Sequence, residues 1–250
     1  LRYFVQFSYK GKAYHGWQKQ PNAITVQEVL EKAFSLILQE TVALTGAGRT
    51  DSGVHAKLMY THFDSDVLFN STELVYRLNA FLPEDIAVGR IVEVPLEAHA
   101  RFDALERIYE YWIVQNKNPF LADAAYYVKY PLNIEQMNKA AAILVKHKDF
   151  ECFSKSNTDV KTYFCDVRKA MWTMDGDKLV FTISADRFLR NMVRAIVGTL
   201  VDVGLGKSSL TDIESILASK DRSNAGVSVP AKGLYLTAIK YPKNIIDHNG

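Results

Sequence analysis

"TVALTGAGRTDSGVHAKLMYTHFDS", Thr41 to Ser65, sets two apolar stretches on either side of a glycine-rich bend. "TVALTG" and "VHAKLMYTHFDS" have the length and composition of strands, while the bend between them has little apolar bulk. Upstream, Val26, Val29, Leu30, Ala33, Phe34 and Ile37 recur at the 3–4 spacing of an amphipathic helix over "VQEVLEKAFSLILQ". Thr25 is its expected N-cap, with Glu28 three residues on completing a capping box. Downstream, "STELVYRLNAFL" reads as a second helix capped by Ser71 or Thr72. A strand at "RYFVQFSYKG" and another at "DIAVGRIVEV" complete the order βαββαβ.

The rest of the chain repeats that order. "RIYEYWIVQ" is a strand and "NIEQMNKAAAILVKH" a helix capped by Asn133. "TYFCDVRKAMWTM" and "KLVFTISAD" form a hairpin about Asp175-Gly176, a strong turn dipeptide. "RFLRNMVRAIVGTLVDVG" is a long helix, "SLTDIESILASK" a short extra one, and "GLYLTAIKY" the last strand. The join falls near residue 103, giving halves 1–103 and 104–250. Two split βαβ units imply an α+β protein with two ferredoxin-like halves sharing a sheet, with a cleft between them.

The 250 residues are 48% hydrophobic and 23% charged, which excludes a wholly disordered chain. A net charge of +2 excludes a polycationic tail. It leaves a nucleic-acid partner open, because affinity follows the local clustering of charge. Cys152 and Cys165 are the only cysteines and form no CxxC pair, so a reducing, cytoplasmic setting is expected. No apolar run nears the roughly 20 residues that span a bilayer, and the first residues read as a strand rather than a signal peptide.

The bend fails the common nucleotide patterns. It has no G-x-x-x-x-G-K-[ST], and Asp51 puts a negative charge where a dinucleotide fingerprint has its third glycine. Asp51-Ser52-Gly53 matches the aspartic-protease triplet, but such a site needs a second carboxylate and the chain has no second copy. His55 and His62 stand at odd spacing on one strand, which suits packed or hydrogen-bonded side chains better than a metal pair. Two readings of Asp51 remain. It is the first residue of an Asx turn, or it is a carboxylate kept ionised by Arg49 and so a nucleophile or base.

Basic residues cluster twice. Arg187, Arg190 and Arg194 fall at i, i+3 and i+7, opposite Leu189, Val193, Ile196 and Leu200. They form a solvated helix face or a phosphate-binding one. Lys10, Lys12 and Lys19 surround Tyr14 and Trp17, whose rings either stack on RNA or pack the loop.

"GRTDSGVHA" (Gly48–Ala56) closely resembles the G-R-T-D-x-G-V-H-A motif of the TruA family of tRNA pseudouridine synthases. Further stretches are similar in the same order: "YKGKAYHGWQKQ" (Tyr9–Gln20), "VQEVLEKA" (Val26–Ala33), "HARFDA" (His99–Ala104), "RIYEY" (Arg107–Tyr111), "FLRNMVRAIVG" (Phe188–Gly198) and "VPAKGLYL" (Val229–Leu236). Departures are Lys148 and Lys232, where the family often has histidine, and Val229 in place of alanine.

The resemblance implies an isomerase that converts uridine to pseudouridine at positions 38, 39 and 40 of the tRNA anticodon stem-loop. It implies two RRM-like halves joined in one mixed, mainly antiparallel sheet around a central catalytic cleft. The first half carries the aspartate loop; the second carries the stacking tyrosine and the arginine helix. It also implies a homodimer, no metal and no nucleotide cofactor. On the matching motifs Asp51 becomes the catalytic aspartate, Tyr109 the tyrosine that stacks on the target base, and Arg194 the arginine that pairs with the aspartate. Arg49, Thr50, Leu234, Arg190 and Arg187 are the further substrate-binding residues expected. The competing class is a non-catalytic RNA-binding protein with duplicated RRM-like halves, although no stretch carries the RNP pattern.

Overall fold

The computed structural model describes residues 1–155 and 160–246. The chain is α+β and divides into two compact units: Leu1–Glu106 together with the end of the chain from Leu236, and Arg107–Tyr235.

In the first unit the order is β1 (Arg2–Tyr9), α1 (Val26–Leu38), β2 (Thr45–Gly46), β3 (His55–Asp64), α2 (Ser71–Phe81) and β4 (Ile86–Val94). Strand β1 lies between β3 and β4 and pairs antiparallel with both, with Val5 opposite Thr61 and Ile91. Thr25 caps α1 by accepting the amide N–H of Glu28 at 3.3 Å. Phe34 from the buried stripe of α1 meets Phe63 of β3 at 5.1 Å between ring centroids. On the opposite face of β1 and β3, Phe4, Tyr60 and Tyr241 pack edge to face. Tyr241 follows the last strand, so this aromatic cluster holds the chain's end in the first unit. Burying each such side chain is worth about 1.5–3 kcal/mol.

Two details differ from the sequence reading. The cap of α2 is Asn70, which accepts from Glu73 N–H at 3.0 Å, rather than Ser71 or Thr72. Asparagine caps as well as serine, so the helix starts one residue sooner. The strand expected over "TVALTG" shrinks to Thr45–Gly46. Side chains of α1 occupy the neighbouring backbone instead: Ser35 accepts from Val42 N–H, Glu31 accepts from Leu44 N–H, and Gln27 donates to Leu44 C=O. Helical side chains thus satisfy groups that would otherwise need a strand partner.

The second unit runs β5 (Glu106–Val114), β6 (Tyr126–Tyr127), α3 (Ile134–Val145), β7 (Val167–Asp175), β8 (Lys178–Ala185), α4 (Met192–Gly204) and α5 (Leu210–Ser219), and then the start of β9 (Leu234–Lys240), whose residues from Leu236 on belong to the first unit. Strand β8 lies between β5 and β7 and is antiparallel to both. The short β6, which the sequence did not suggest, adds a parallel pair to β5. Asn133 caps α3, as its sequence implies, and a full capping box at Ser209 and Asp212 opens α5. Helix α4 is buried along nearly its whole length.

That helix corrects a further expectation. It begins at Met192, not Arg187. The Asp186 carboxylate accepts the amide N–H of both Arg187 and Asp166 at 2.7 Å, which holds the backbone in a turn. Asn191 then adopts φ +65°, and the helix starts only after it. Arg187 and Arg190 therefore precede the helix, and the three-arginine helical face does not form.

Candidate active site

Asp51 stands in the loop between β2 and β3, and a neighbouring loop fixes that backbone. Residues 11–17 run alongside it. Trp17 N–H donates to Thr50 C=O at 3.4 Å, and Gly53 N–H donates to Tyr14 C=O at 3.3 Å. The Ser52 hydroxyl donates to the same Tyr14 carbonyl, also at 3.3 Å. Gly11 N–H donates to His55 Nδ1 at 3.0 Å, and the Tyr9 phenol bonds the Thr50 hydroxyl at 2.8 Å. Thr50, Ser52, Gly53 and His55 are thus tied across to residues 9–17, and Val54 N–H closes a turn onto Asp51 C=O.

The approach of the two loops is close enough to need glycine. A Cβ on Gly11 would stand 2.0 Å from Val54 O, and one on Gly16 would stand 2.3 Å from Thr50 O. Gly16 also has φ +87°, a region that L residues rarely enter. Asp51 itself is partly exposed, between exposed Arg49 and Ser52 on its loop.

Tyr14 and Trp17, weighed as RNA-stacking rings, are buried to 5% and 3% exposure and pack the loop. Trp17 lies against Phe7 and over Gly46. The Tyr14 phenol donates to Asp85 Oδ1 at 2.6 Å. Burial, then the Asp85 carboxylate, push that phenol's pKa well above the tyrosine range, so it stays a donor. Lys10, Lys12 and Lys19 are exposed around the loop, and Lys19 pairs with Glu31 at 3.4 Å. His55 and His62 are both buried and both accept backbone N–H bonds at Nδ1, the packed strand histidines that their spacing implied.

In the second unit Tyr109 sits mid-strand on β5 opposite Ile183, partly exposed. Phe188 meets its ring edge to face at 5.2 Å and 88°, which sets the plane of the phenol. Arg194, in the first turn of α4, donates from Nε to Val229 C=O at 2.8 Å, and Val229 N–H returns a bond to Arg194 C=O at 3.2 Å. Val229, where the motif has alanine, therefore enters through its backbone, which the substitution leaves unchanged. Arg187 donates to Thr162 C=O at 3.3 Å, and Arg190 is exposed. Leu234 is buried at the start of β9. Lys148 pairs with Asp166, and Lys232 donates to Ala122 C=O at 2.6 Å. Both departures from the motif thus hold local structure in their own unit.

Sequence reasoning missed Tyr9, Asp85 and Phe188 as supports of these side chains. Tyr9 and Asp85 lie 42 and 34 positions from Asp51, and no periodicity links them to it.

The tRNA pseudouridine synthase family matches residues 6–103 and 140–242 of this chain. Among curated relatives, "tRNA pseudouridine synthase A" of Parabacteroides distasonis is 48% identical over 98% of this chain and 97% of its own length. The protein of the same name from Thermoanaerobacter pseudethanolicus is 43% identical over 95% and 98%, and that of Bacillus licheniformis 40% over 96% and 99%. The chain belongs to the tRNA pseudouridine synthase family, and it is an isomerase.

Proposed function

We propose that this enzyme isomerises uridine to pseudouridine at positions 38, 39 and 40 of the tRNA anticodon stem-loop, with Asp51 as the catalytic carboxylate. The rigidly tied Asp51 loop, on a chain that matches the family over most of its length, is the observation that carries this reading.

The reaction breaks the N1–C1′ bond, turns the uracil, joins C5 to C1′ and releases the C5 proton. A glycosidase that hydrolyses this kind of bond uses two carboxylates, one of them to deal with water or the leaving group. An isomerase activates no water, and uracil leaves as a stabilised anion, so one carboxylate suffices. Asp51 either attacks C1′ or takes the C2′ proton. Taking the base out of its stack costs a few kcal/mol. Stacking on Tyr109 returns about 1–3 kcal/mol, and phosphate contacts supply the remainder. In this reading Arg194 is the cationic partner of the Asp51 carboxylate. Exposed Arg49 and Arg190 meet phosphates, and Thr50, Arg187 and Leu234 complete the substrate contacts. The Tyr109 hydroxyl is the candidate acceptor of the C5 proton.

The working unit is a symmetric homodimer, because one 28.2 kDa chain offers little surface to grip an L-shaped RNA beyond its anticodon arm. Light scattering at assay concentration is the test of that part. The setting is the cytoplasm, in keeping with two buried free thiols whose pKa values burial pushes up to about 12.

Asp51→Asn keeps the side chain's shape and removes its charge. Turnover on unmodified tRNA transcript, followed as pseudouridine formed, should fall at least about 10³-fold, with tRNA affinity unchanged. Turnover near that of the unaltered protein would refute the assignment.

A further inference from the structure

Tyr14 touches the Asp51 loop with one end and the interior of the first unit with the other. Its carbonyl accepts from Gly53 N–H and from the Ser52 hydroxyl, both at 3.3 Å, on the two residues that follow Asp51. Its phenol donates to Asp85 Oδ1 at 2.6 Å, and Asp85 C=O in turn accepts Lys10 N–H at 2.9 Å. Asp85 lies immediately before β4, and Lys10 immediately after β1. Adjacent strands of the sheet thus grip one residue that carries the catalytic loop's backbone.

We infer that Tyr14 and Asp85 are positioning residues: their hydrogen bond sets the place of the Tyr14 carbonyl, and through it the place of the Asp51 carboxylate. This rests on Asp51 as the catalytic group. Two features favour it over simple packing. Tyr14 is almost wholly buried, so its phenol depends on the Asp85 carboxylate as acceptor in place of water. The bond is also short and its acceptor ionisable, the kind that fixes direction as well as distance. A carboxylate that must meet one carbon or one proton of a nucleotide is sensitive to such placement. Misplacement by about 1 Å can cost about a hundredfold in rate.

Tyr14→Phe keeps the ring and removes only the hydroxyl. Asp85→Ala removes the acceptor, and Asp85→Asn keeps an acceptor oxygen in the same place. Single-turnover rates and KM for tRNA are measured well below each variant's melting temperature, with Asp51→Asn alongside. The expected result is a rate about tenfold lower for Tyr14→Phe and for Asp85→Ala at unchanged KM. The double variant should be no slower than either single one, because both changes remove the same bond. Asp85→Asn should regain most of the rate when Tyr14 is present and none when it is Phe. Rates at the unaltered level for Tyr14→Phe and Asp85→Ala, with Asp51→Asn inactive, would overturn the inference and leave the Asp51 assignment standing. So would independent, multiplying losses. An active Asp51→Asn would overturn both.

Discussion

The two units hold their candidate site residues by different means. Asp51 lies on irregular backbone, and the residues on either side of it are bonded to a second segment, residues 9–17. Tyr109 and Arg194 lie on a strand and a helix, where register and helical phase place the side chain and one neighbour trims its angle. A change in residues 9–17, none of which is Asp51's chain neighbour, can therefore move Asp51, whereas Tyr109 and Arg194 respond mainly to changes at themselves or at their immediate partners. Loops carry chemistry well only when such a scaffold stiffens them.

The sharpest way to break this contrast is to compare two glycines beside the same loop. Gly16→Ala brings a Cβ within 2.3 Å of Thr50 O at a residue with φ +87°. It should push the loop aside and lower turnover by about a hundredfold, with a melting temperature several degrees lower. Gly48 lies three residues before Asp51 yet has nothing within 4 Å of its would-be Cβ. Gly48→Ala should leave the melting temperature within about a degree, since an unhindered surface change is typically within about 0.5 kcal/mol. Equal melting temperatures for the two variants would show that the loop tolerates displacement.

A smaller effect is expected in the second unit, where two jobs are proposed for Tyr109. Tyr109→Phe keeps the ring against Phe188 and removes the hydroxyl. It should bind tRNA normally and turn over slowly, because the C5 proton loses its acceptor. Tyr109→Leu also removes the stacking surface and should weaken capture of the flipped base by about 1–3 kcal/mol. Single-turnover rates and tRNA affinities for the two variants separate the roles. Equal rates for Tyr and Phe would leave stacking alone.

The contrast also explains what was legible in the sequence. Elements whose ends carry their own chemistry were readable: Thr25 and Asn133 cap the helices they announce, and a hairpin joins β7 and β8 where one was expected, although its two turn residues are Gly176-Asp177 and Asp175 is still paired in β7. The α+β class followed from those elements in order. What failed were segments whose backbone is satisfied from elsewhere. The run 41–44 is apolar enough for a strand, but α1 side chains take its hydrogen bonds. Arg187, Arg190 and Arg194 have helical spacing, but the Asp186 carboxylate makes a turn of the backbone before α4 begins. Tyr14 and Trp17 carry no signal that tells a loop-packing ring from an RNA-stacking one; only their burial does. The motif around Asp51 was visible as residues, and its support by Tyr9, Tyr14 and Asp85 was not, because those bonds join positions distant in sequence.

The smallest expected effect separates the units by pH. His62 is buried in the first unit, and its Nδ1 accepts Ala100 N–H at 3.1 Å, so that nitrogen carries no proton. The His99 ring lies edge to face against it at 4.7 Å. Burial first, then the charges of Arg2 and His99, lower the His62 pKa to about 4, while Asp64 and Asp103 act weakly the other way. Burial also lowers His99. An unfolded histidine titrates near 6.5, so between that value and about 4 the unfolded chain binds a proton that the folded one refuses. The stability that His62 contributes is therefore complete above about pH 6.5, declines as the pH falls toward 4, and declines no further below it. The loss should amount to about 1–3 kcal/mol. The second unit has no buried histidine. Hydrogen exchange at pH 7 and pH 4.5, corrected for intrinsic rates, reads this directly. Protection of the Ala100 amide and its neighbours should fall, while that of β8 amides such as Phe181 should hold. His62→Asn offers an acceptor oxygen that does not titrate, and it should flatten the decline. Equal loss of protection in both units, or a decline unchanged in His62→Asn, would show that the acid sensitivity arises elsewhere.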